Sequence, residues 1–295
     1  MDAFKLKVPA TTANMGPGFD AIGMALKLFN EYEVEKIPKG IEVIGSENIP
    51  LEHNLVYSSM NKILNKHGVL PDGIRISSKE INIPTNGGLG SSAASIVGGI
   101  MIANQIMGNI LTSHDIICLG TEIEGHPDNI VPAVLGGLTV SINEGGNMTY
   151  SGVKVPESIR FAIMTPNFSV STHHARNVLP KEYSKSDCIF NIARASLLIA
   201  AMSNGEIDKL RIATEDRIHQ PYRATLIPEI YNIFSRAKEL GAKAEVISGS
   251  GSTLMAIIDE DNKDFQKAMQ TYLDKLKEKW VVKVLEVDTQ GATIV

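Results

Sequence analysis

The sequence predicts an α+β fold in two domains, and three observations carry that prediction. Strands, helices, a hairpin, further helices and closing strands follow one another without the regular alternation of a doubly wound sheet. A glycine-rich loop over residues 84–95 joins a β-branched strand to a small-residue apolar helix. Pro156 follows the hairpin and divides the 295 residues into an N-terminal domain over 1–155 and a C-terminal domain over 156–295, with 43% hydrophobic content to fill their cores.

Taken in order, Phe4 to Val8 alternates as a strand, and the small, glycine-punctuated run from Pro9 to Asp20 reads as a loop bracketed by Asn14 and Asp20. Ile22 to Ile37 and Ile41 to Ile44 read as neighbouring strands in a hairpin or meander. Asn54 to Lys66 has helical spacing and Gly68 stops it; Gly73 to Ile83, with Ile74, Ile76, Ile81 and Ile83, is a strand. Ala93 to Met107 is a buried helix, and Ser113 caps the next, which runs to about Glu124. Asp128 is placed to cap the apolar segment Ile130 to Leu135. A hairpin turns at residues 143–146. The second half opens with a strand at Arg160, continues through a short helix at Ser171 to Arg176 and a long apolar helix from Cys188 to Met202, and reaches a polar run from Asp216 to Arg223. Ile227 to Leu240 is a helix stopped by Gly241. Two strands flank a second glycine loop at Gly249 to Ser252, and a charged helix over 261–279 precedes a last strand at Val281 to Val287.

The glycine loop is the chemical centre. A helix that begins beside glycines presents free N–H groups and the positive end of its dipole, with Ser91 or Ser92 near the N-cap. That is an anion cradle, and phosphate is the natural anion. The Walker pattern fails, because no lysine follows Gly90. Gly88-x-Gly90-x-x-Ala93 does match the dinucleotide fingerprint, which also wants a second strand bearing an acid about twenty residues on. Glu124, His126, Asp128 and Asn129 crowd the turn after the next helix. Glu124 faces the same cradle if the two helices are antiparallel, and Glu122 is the competing carboxylate.

Net charge of -5 without a basic run argues against a nucleic-acid partner. Cys118 and Cys188 sit far apart in apolar contexts and read as buried free thiols. The N-terminus has no apolar signal core, and the apolar run near Ile96 to Met107 is too short for a bilayer, so a cytoplasmic protein without a membrane partner is expected.

Three separated stretches, Pro9-x-x-x-Ala13-Asn14-x-Gly16-x-Gly18-Phe19-Asp20, Gly88-Leu89-Gly90-Ser91-Ser92-Ala93 and Ile247-Ser248-Gly249-x-Gly251, resemble the GHMP small-molecule kinases in the right order over almost the whole chain. Glu124-Gly125, His126-x-Asp128-Asn129, Thr172-x-x-x-Arg176-x-x-Leu179-Pro180 and Pro221-Tyr222-Arg223 are similar to the homoserine kinases within them. The resemblance implies an N-terminal β-α-β nucleotide-binding domain with a left-handed crossover, against the usual hand, a C-terminal ferredoxin-like α/β sandwich, and an active site between the halves. It implies ATP cradled by Pro84, Thr85, Asn86, Gly87, Gly88, Leu89, Gly90, Ser91, Ser92, Ala93 and Ala94, adenine near Asn54 and Val56, and Mg²⁺ on Ser92 and Glu124. Asn14, Asp20, His126, Arg176 and Arg223 would line an L-homoserine pocket. A homodimer and a place in threonine biosynthesis are family expectations.

The chemistry fits that implication. Arg176 and Arg223 can fork onto an amino-acid carboxylate; Asp20, helped by the Asn14 amide oxygen, can accept from the ammonium. In the mevalonate branch an aspartate stands where this chain has Asn129, and an amide accepts no proton at neutral pH. Phosphoryl transfer through a loose transition state relies on alignment and charge neutralisation rather than on a strong base, so Asn129 is expected to position the hydroxyl. The alternatives are a mevalonate-type alcohol as substrate, a nicotinamide oxidoreductase using the Gly88–Ala93 fingerprint, and an inactive metabolite-binding regulator.

Overall fold

A computed structural model describes residues 3–45, 49–71, 73–85 and 87–295. Asn86, expected in the phosphate cradle, lies outside the described residues. Strands β1 (Phe4–Ala13), β2 (Ile22–Lys36) and β3 (Gly40–Ile44) precede helix α1 (Leu55–Lys66), strand β4 (Gly73–Ile81) and helices α2 (Ser91–Ile106), α3 (Ser113–Glu124) and α4 (Ile130–Leu135). The hairpin β5 (Leu138–Glu144) and β6 (Asn147–Val153) completes the first half. The second half runs β7 (Ile159–Pro166), α5 (Thr172–Asn177), α6 (Lys185–Asn204), α7 (Leu210–Ala213), α8 (Gln220–Arg223), α9 (Ile230–Glu239), β8 (Ala244–Ile247), β9 (Leu254–Asp259), α10 (Phe265–Leu273), β10 (Trp280–Leu285) and β11 (Thr293–Ile294).

The first sheet has the order β11-β1-β2-β4-β3, with β5 and β6 attached to β2. The long strand β2 makes this possible: its first residues pair with β5 and its last with β4. The expected hairpin of the second and third strands does not form. β3 pairs instead with β4, in parallel, and α1 is the connection between them. Parallel neighbours need such a crossover, because no tight turn can join them. The run from Pro9 to Ala13, expected as loop, continues β1. All five of those residues are buried, since this end of the strand is covered on both sides. Pro9 sits where the register with β2 shifts, the place in a sheet where a missing N–H costs least.

The second sheet has the order β10-β7-β9-β8 with every pair antiparallel. Numbered from β7, that is fourth-first-third-second, with helices after the first and third strands, so this half is ferredoxin-like. Alternation along β7 sends Ala162 and Met164 to a core under α9 and α10, and Phe161 and Ile163 to a larger core that runs into the first half. Strands β1 to β6 lie in the first sheet and β7 to β10 in the second, while β11 returns to pair with Leu6 and Lys7 of β1.

Some elements differ locally from expectation. Thr112, not Ser113, caps α3, in a reciprocal capping box with Asp115. The charged helix expected over 261–279 is helical only over Phe265–Leu273, and α9 begins at Ile230 rather than Ile227. Helix α6, longer than the apolar run first considered, reaches the length and hydropathy of a membrane span with 22% of that window buried. It carries Lys185, Asp187 and Arg194 and turns Leu198, Ala201 and Met202 into the shared core. Both cysteines are free thiols, as the sequence suggests, but neither is buried: Cys188 is exposed and Cys118 half-buried.

Candidate active site

The cradle is built where β4 ends and α2 begins. The N-cap position of α2 is Gly90, left-handed at φ 66°, with no side-chain cap, rather than Ser91 or Ser92. The amides of the first turn are therefore left to a ligand. Gly88 also has positive φ (79°), and a Cβ there would lie 2.2 Å from the Ser248 carbonyl oxygen. That close approach is part of a three-way lock. The Leu89 carbonyl accepts from Thr11 N–H at 3.1 Å, the Gly87 carbonyl from Thr253 N–H at 3.0 Å, and the Ala13 carbonyl from Gly249 N–H at 3.1 Å. The Ser248 hydroxyl donates to the Gly88 carbonyl at 2.6 Å. Three stretches remote in sequence thus meet as one backbone framework.

Helices α2 and α3 bring Ser92 and Glu124 together: the Ser92 hydroxyl donates to Glu124 Oε2 at 2.6 Å. Burial pushes the Glu124 carboxyl above the ordinary carboxylate range, with the Ser92 hydrogen bond opposing. A hydroxyl beside a partly desolvated carboxylate at an anion cradle suits Mg²⁺, which takes one or two carboxylates and completes its shell with phosphate oxygens and water. Glu122 points elsewhere and pairs with Lys62 at 2.9 Å.

The other end of the cleft is made of side chains. Arg176 on α5 grips Asp20 with two bonds of 3.0 and 2.8 Å. Asn14 donates to the Gly249 carbonyl at 2.9 Å and accepts from Asp20 N–H at 3.1 Å. Asn14 and Asp20 both adopt positive φ, which asparagine and aspartate tolerate better than most residues. Arg223 is 2% exposed and donates to the carbonyls of Ala175 and Gly249 at 3.2 and 2.9 Å. Among the described residues no carboxylate lies within ion-pair distance of it. Burial, and then the like charge of Arg176, lowers its pKa to about 10. Between the two ends, Asn129 accepts from the Thr11 hydroxyl at 2.8 Å and donates to Asp128 at 3.2 Å. His126 bonds the same carboxylate oxygen at 3.2 Å, and that hydrogen bond raises the imidazole pKa.

One cleft is lined by Asn14, Asp20, Ser92, Glu124, His126, Asn129, Arg176 and Arg223, together with Gly87, Gly88, Gly90 and Ser91. Asn54 and Val56 are not on its walls: the Asn54 side chain caps α1, accepting from the N–H groups of Val56 and Tyr57. Pro84 and Leu89 line a separate apolar pocket, Ala93 and Ala94 are buried in the core, and Thr85 is exposed. Sequence reasoning missed Thr11, which was assigned to a loop. Of the two roles open to Asp128, helix cap or polar group of the turn, the structure shows the second: Asn129 occupies the N-cap position without capping, and Asp128 lines the cleft. The dinucleotide fingerprint lacks its context, because α2 leads to α3 rather than to a second strand.

A backbone cradle for phosphate facing a charged side-chain pocket, on these two sheets, defines a class of small-molecule kinase. Residues 54–137 match the family model for the GHMP kinases N terminal domain and residues 197–275 that for GHMP kinases C terminal, and the chain belongs to this family. Within it, the chain is 50% identical over 294 residues to a homoserine kinase of Clostridium novyi (strain NT), covering 99% of this chain and 98% of that one. It is 49% identical to a homoserine kinase of Clostridium kluyveri, covering 100% and 99%. The crystal structure of homoserine kinase from Cytophaga hutchinsonii superimposes with a TM-score of 0.89 at 29% identity, covering 100% and 98%. A mevalonate kinase of Methanococcus jannaschii shares the fold, at TM-score 0.73 and 16% identity, covering 96% of this chain and 98% of that one.

Proposed function

We propose that this chain transfers the γ-phosphoryl group of ATP to the side-chain hydroxyl of L-homoserine, giving O-phospho-L-homoserine and ADP in threonine biosynthesis. The observation that carries the substrate end is Arg223. A buried guanidinium facing a cleft, with no carboxylate among the described residues within ion-pair distance, is costly until an anion joins it. The Asp20–Arg176 pair beside it offers one group for an ammonium and a second for a carboxylate, the two charges of an amino acid. A mevalonate-type alcohol would supply the carboxylate and leave Asp20 without an ammonium. The full-length relatives named homoserine kinase support the same reading.

In this reading the amides at the start of α2 hold the triphosphate, and Ser92 and Glu124 hold Mg²⁺, which neutralises charge on the phosphates when bound. Asn129 has a fixed orientation: its N–H must face the Asp128 carboxylate, so its carbonyl faces the Thr11 hydroxyl. The second N–H can donate to the homoserine hydroxyl oxygen and hold it in line. An amide that donates there takes no proton, so alignment and charge neutralisation lower the barrier, and the proton leaves late to phosphate oxygen or solvent.

A coupled ADP-release assay with Mg²⁺ and homoserine, mevalonate, shikimate or galactose tests the reading. Homoserine should give the highest kcat/KM; a clear preference for any other acceptor would overturn it. Glu124→Ala should reduce turnover about 10²–10³-fold, and excess Mg²⁺ should recover little of it.

A further inference from the structure

We propose that His219 is a positioning residue of the substrate cleft: through a single neutral tautomer it ties Arg223 to the Gly16 turn, and so sets where the carboxylate of the amino-acid substrate is held. This inference rests on the homoserine kinase reading and adds to it a residue that touches neither substrate nor nucleotide.

The imidazole is fully buried and bonded at both ends. Nε2 lies 2.7 Å from the Gly16 carbonyl oxygen, and Nδ1 lies 3.3 Å from Arg223 Nη1. A carbonyl only accepts and a guanidinium only donates. The ring must therefore carry its proton on Nε2 and present a lone pair at Nδ1. An imidazolium would aim an N–H at the guanidinium, and burial lowers the His219 pKa to about 4. Gly16 belongs to the first half of the chain and Arg223 to the second, 203 and 4 positions from His219 respectively. One ring therefore bridges the two halves of the chain beside the cleft.

Its own placement is also fixed. Asp216, whose side chain is wholly buried, accepts from the N–H groups of Ile218, His219 and Gln220 at 3.0, 2.8 and 2.6 Å and from the Asn191 amide at 2.6 Å. These bonds hold the turn that enters α8. Phe19 stacks on the imidazole with centroids 5.4 Å apart and planes 28° apart. The same ring lies 5.1 Å from the Arg223 guanidinium and 5.5 Å from that of Arg176. Phe19 is thus within cation–π distance of both guanidinium groups as well as stacked on the imidazole. A guanidinium is rigid and reads a carboxylate through geometry, so displacing it by about 1 Å can cost up to 10²-fold.

The test uses His219→Gln, His219→Leu and wild type, with kcat and both KM values measured for each. Glutamine keeps one donor and one acceptor; leucine keeps neither. The leucine variant should raise the homoserine KM about tenfold, a loss of about 1.4 kcal/mol, with the ATP KM unchanged and kcat moved less. Glutamine should restore the homoserine KM to within about threefold. An unchanged homoserine KM in an active leucine variant, or an equal rise in both KM values, overturns the proposal. Should the leucine variant fail to fold, ¹⁵N NMR of the wild-type imidazole decides. The Nε2–H tautomer without titration between pH 5 and 8 supports it, and a ring that titrates in that range or carries its proton on Nδ1 overturns it. Wild-type protein that does not phosphorylate homoserine would sink the functional reading while leaving that tautomer signal to be read separately.

Discussion

The two ends of the cleft are made from different materials. The phosphate end is main chain: helix-terminal amides, two left-handed glycines, and carbonyls locked to neighbouring strands. The substrate end is side chain: Asp20 held by Arg176 from 156 positions away, Arg223 on two carbonyls, His219 behind it. A backbone cradle recognises what every nucleoside triphosphate shares, so one such loop can serve a whole family of kinases. A pocket of charged side chains recognises one arrangement of charges, and in the proposed reading specificity would reside there. The difference makes a prediction about substitutions: bulk should matter at the first end and chemistry at the second.

The largest effect that separates them is expected at Gly88. Gly88→Ala forces an L-residue into left-handed backbone, about 1–2 kcal/mol, and drives a methyl into the Ser248 carbonyl, about 1–3 kcal/mol more if the lock yields. Urea melts should show a loss of about 2–5 kcal/mol from the usual 5–15. Whatever folds should bind ATP poorly while keeping its homoserine KM. Normal stability and ATP affinity in this variant would mean that the cradle does not depend on the close approach. At the other end, Arg176→Lys keeps the charge yet loses the fork that grips Asp20 in two places. The homoserine KM should rise about 10–100-fold and the ATP KM should not move. A proportional rise in both would erase the distinction between the two ends.

How much of each end can be read from the sequence follows from the same contrast. The cradle is local. Pro84 to Ala94 announces a strand end, glycines and a buried helix within a dozen residues, and the short-range rules for turns and helix starts apply. Even so, Gly90 rather than a serine takes the N-cap, because glycine adopts the left-handed backbone without strain and leaves the amides uncapped. The Ser92–Glu124 pair follows from the family resemblance; the residues alone place Glu124 at the cradle only on the condition of antiparallel helices, and leave Glu122 as a competitor. The substrate end depends on long-range pairing. Nothing near Asp20 points to Arg176, and the polar run over 216–223 showed its chemistry without showing that His219 would reach Gly16. The parallel partner of β4 and the return of β11 to β1 escaped for the same reason, since strand order is decided by packing rather than by local pattern.

A smaller effect concerns pH. His219 falls from its ordinary 6.5 to about 4 on folding, so the native state keeps it neutral while the unfolded chain protonates it first. The group's contribution to stability is complete above pH 6.5 and is lost as pH falls towards 4. That span of about 2.5 units, at ~1.36 kcal/mol each, sets a ceiling of about 3 kcal/mol. The groups that act on the ring are Asp216, which supports the proton, Arg223, which opposes it, the Gly16 carbonyl and Asp20. Urea melts between pH 4 and 7 should fall more steeply for wild type than for His219→Gln, which has no imidazole. Parallel curves would mean that the ring is not held neutral, and the substrate end would lose its fixed anchor.

The smallest expected effect comes from a residue two positions from one of the most consequential. Glu122 and Glu124 share α3, and two residues of helix are about 200° of rotation, so the two carboxylates leave on opposite sides. Glu124 turns into the cleft and meets Ser92. Glu122 meets Lys62 at 2.9 Å with both side chains about half exposed, at 57% and 49%. That lysine holds the Glu122 carboxyl below its ordinary pKa range, but an exposed pair is screened by solvent and salt and contributes about 0–1 kcal/mol. Glu122→Ala should therefore leave kcat and both KM values at wild-type levels and lower stability by less than about 0.5 kcal/mol, where Glu124→Ala should reduce turnover about 10²–10³-fold. Side-by-side kinetics and melts of the two variants check this. A large activity loss in Glu122→Ala would mean that the carboxylate proposed to hold the metal is on the wrong face of the helix, and the proposed account of the phosphate end would have to be rebuilt from there.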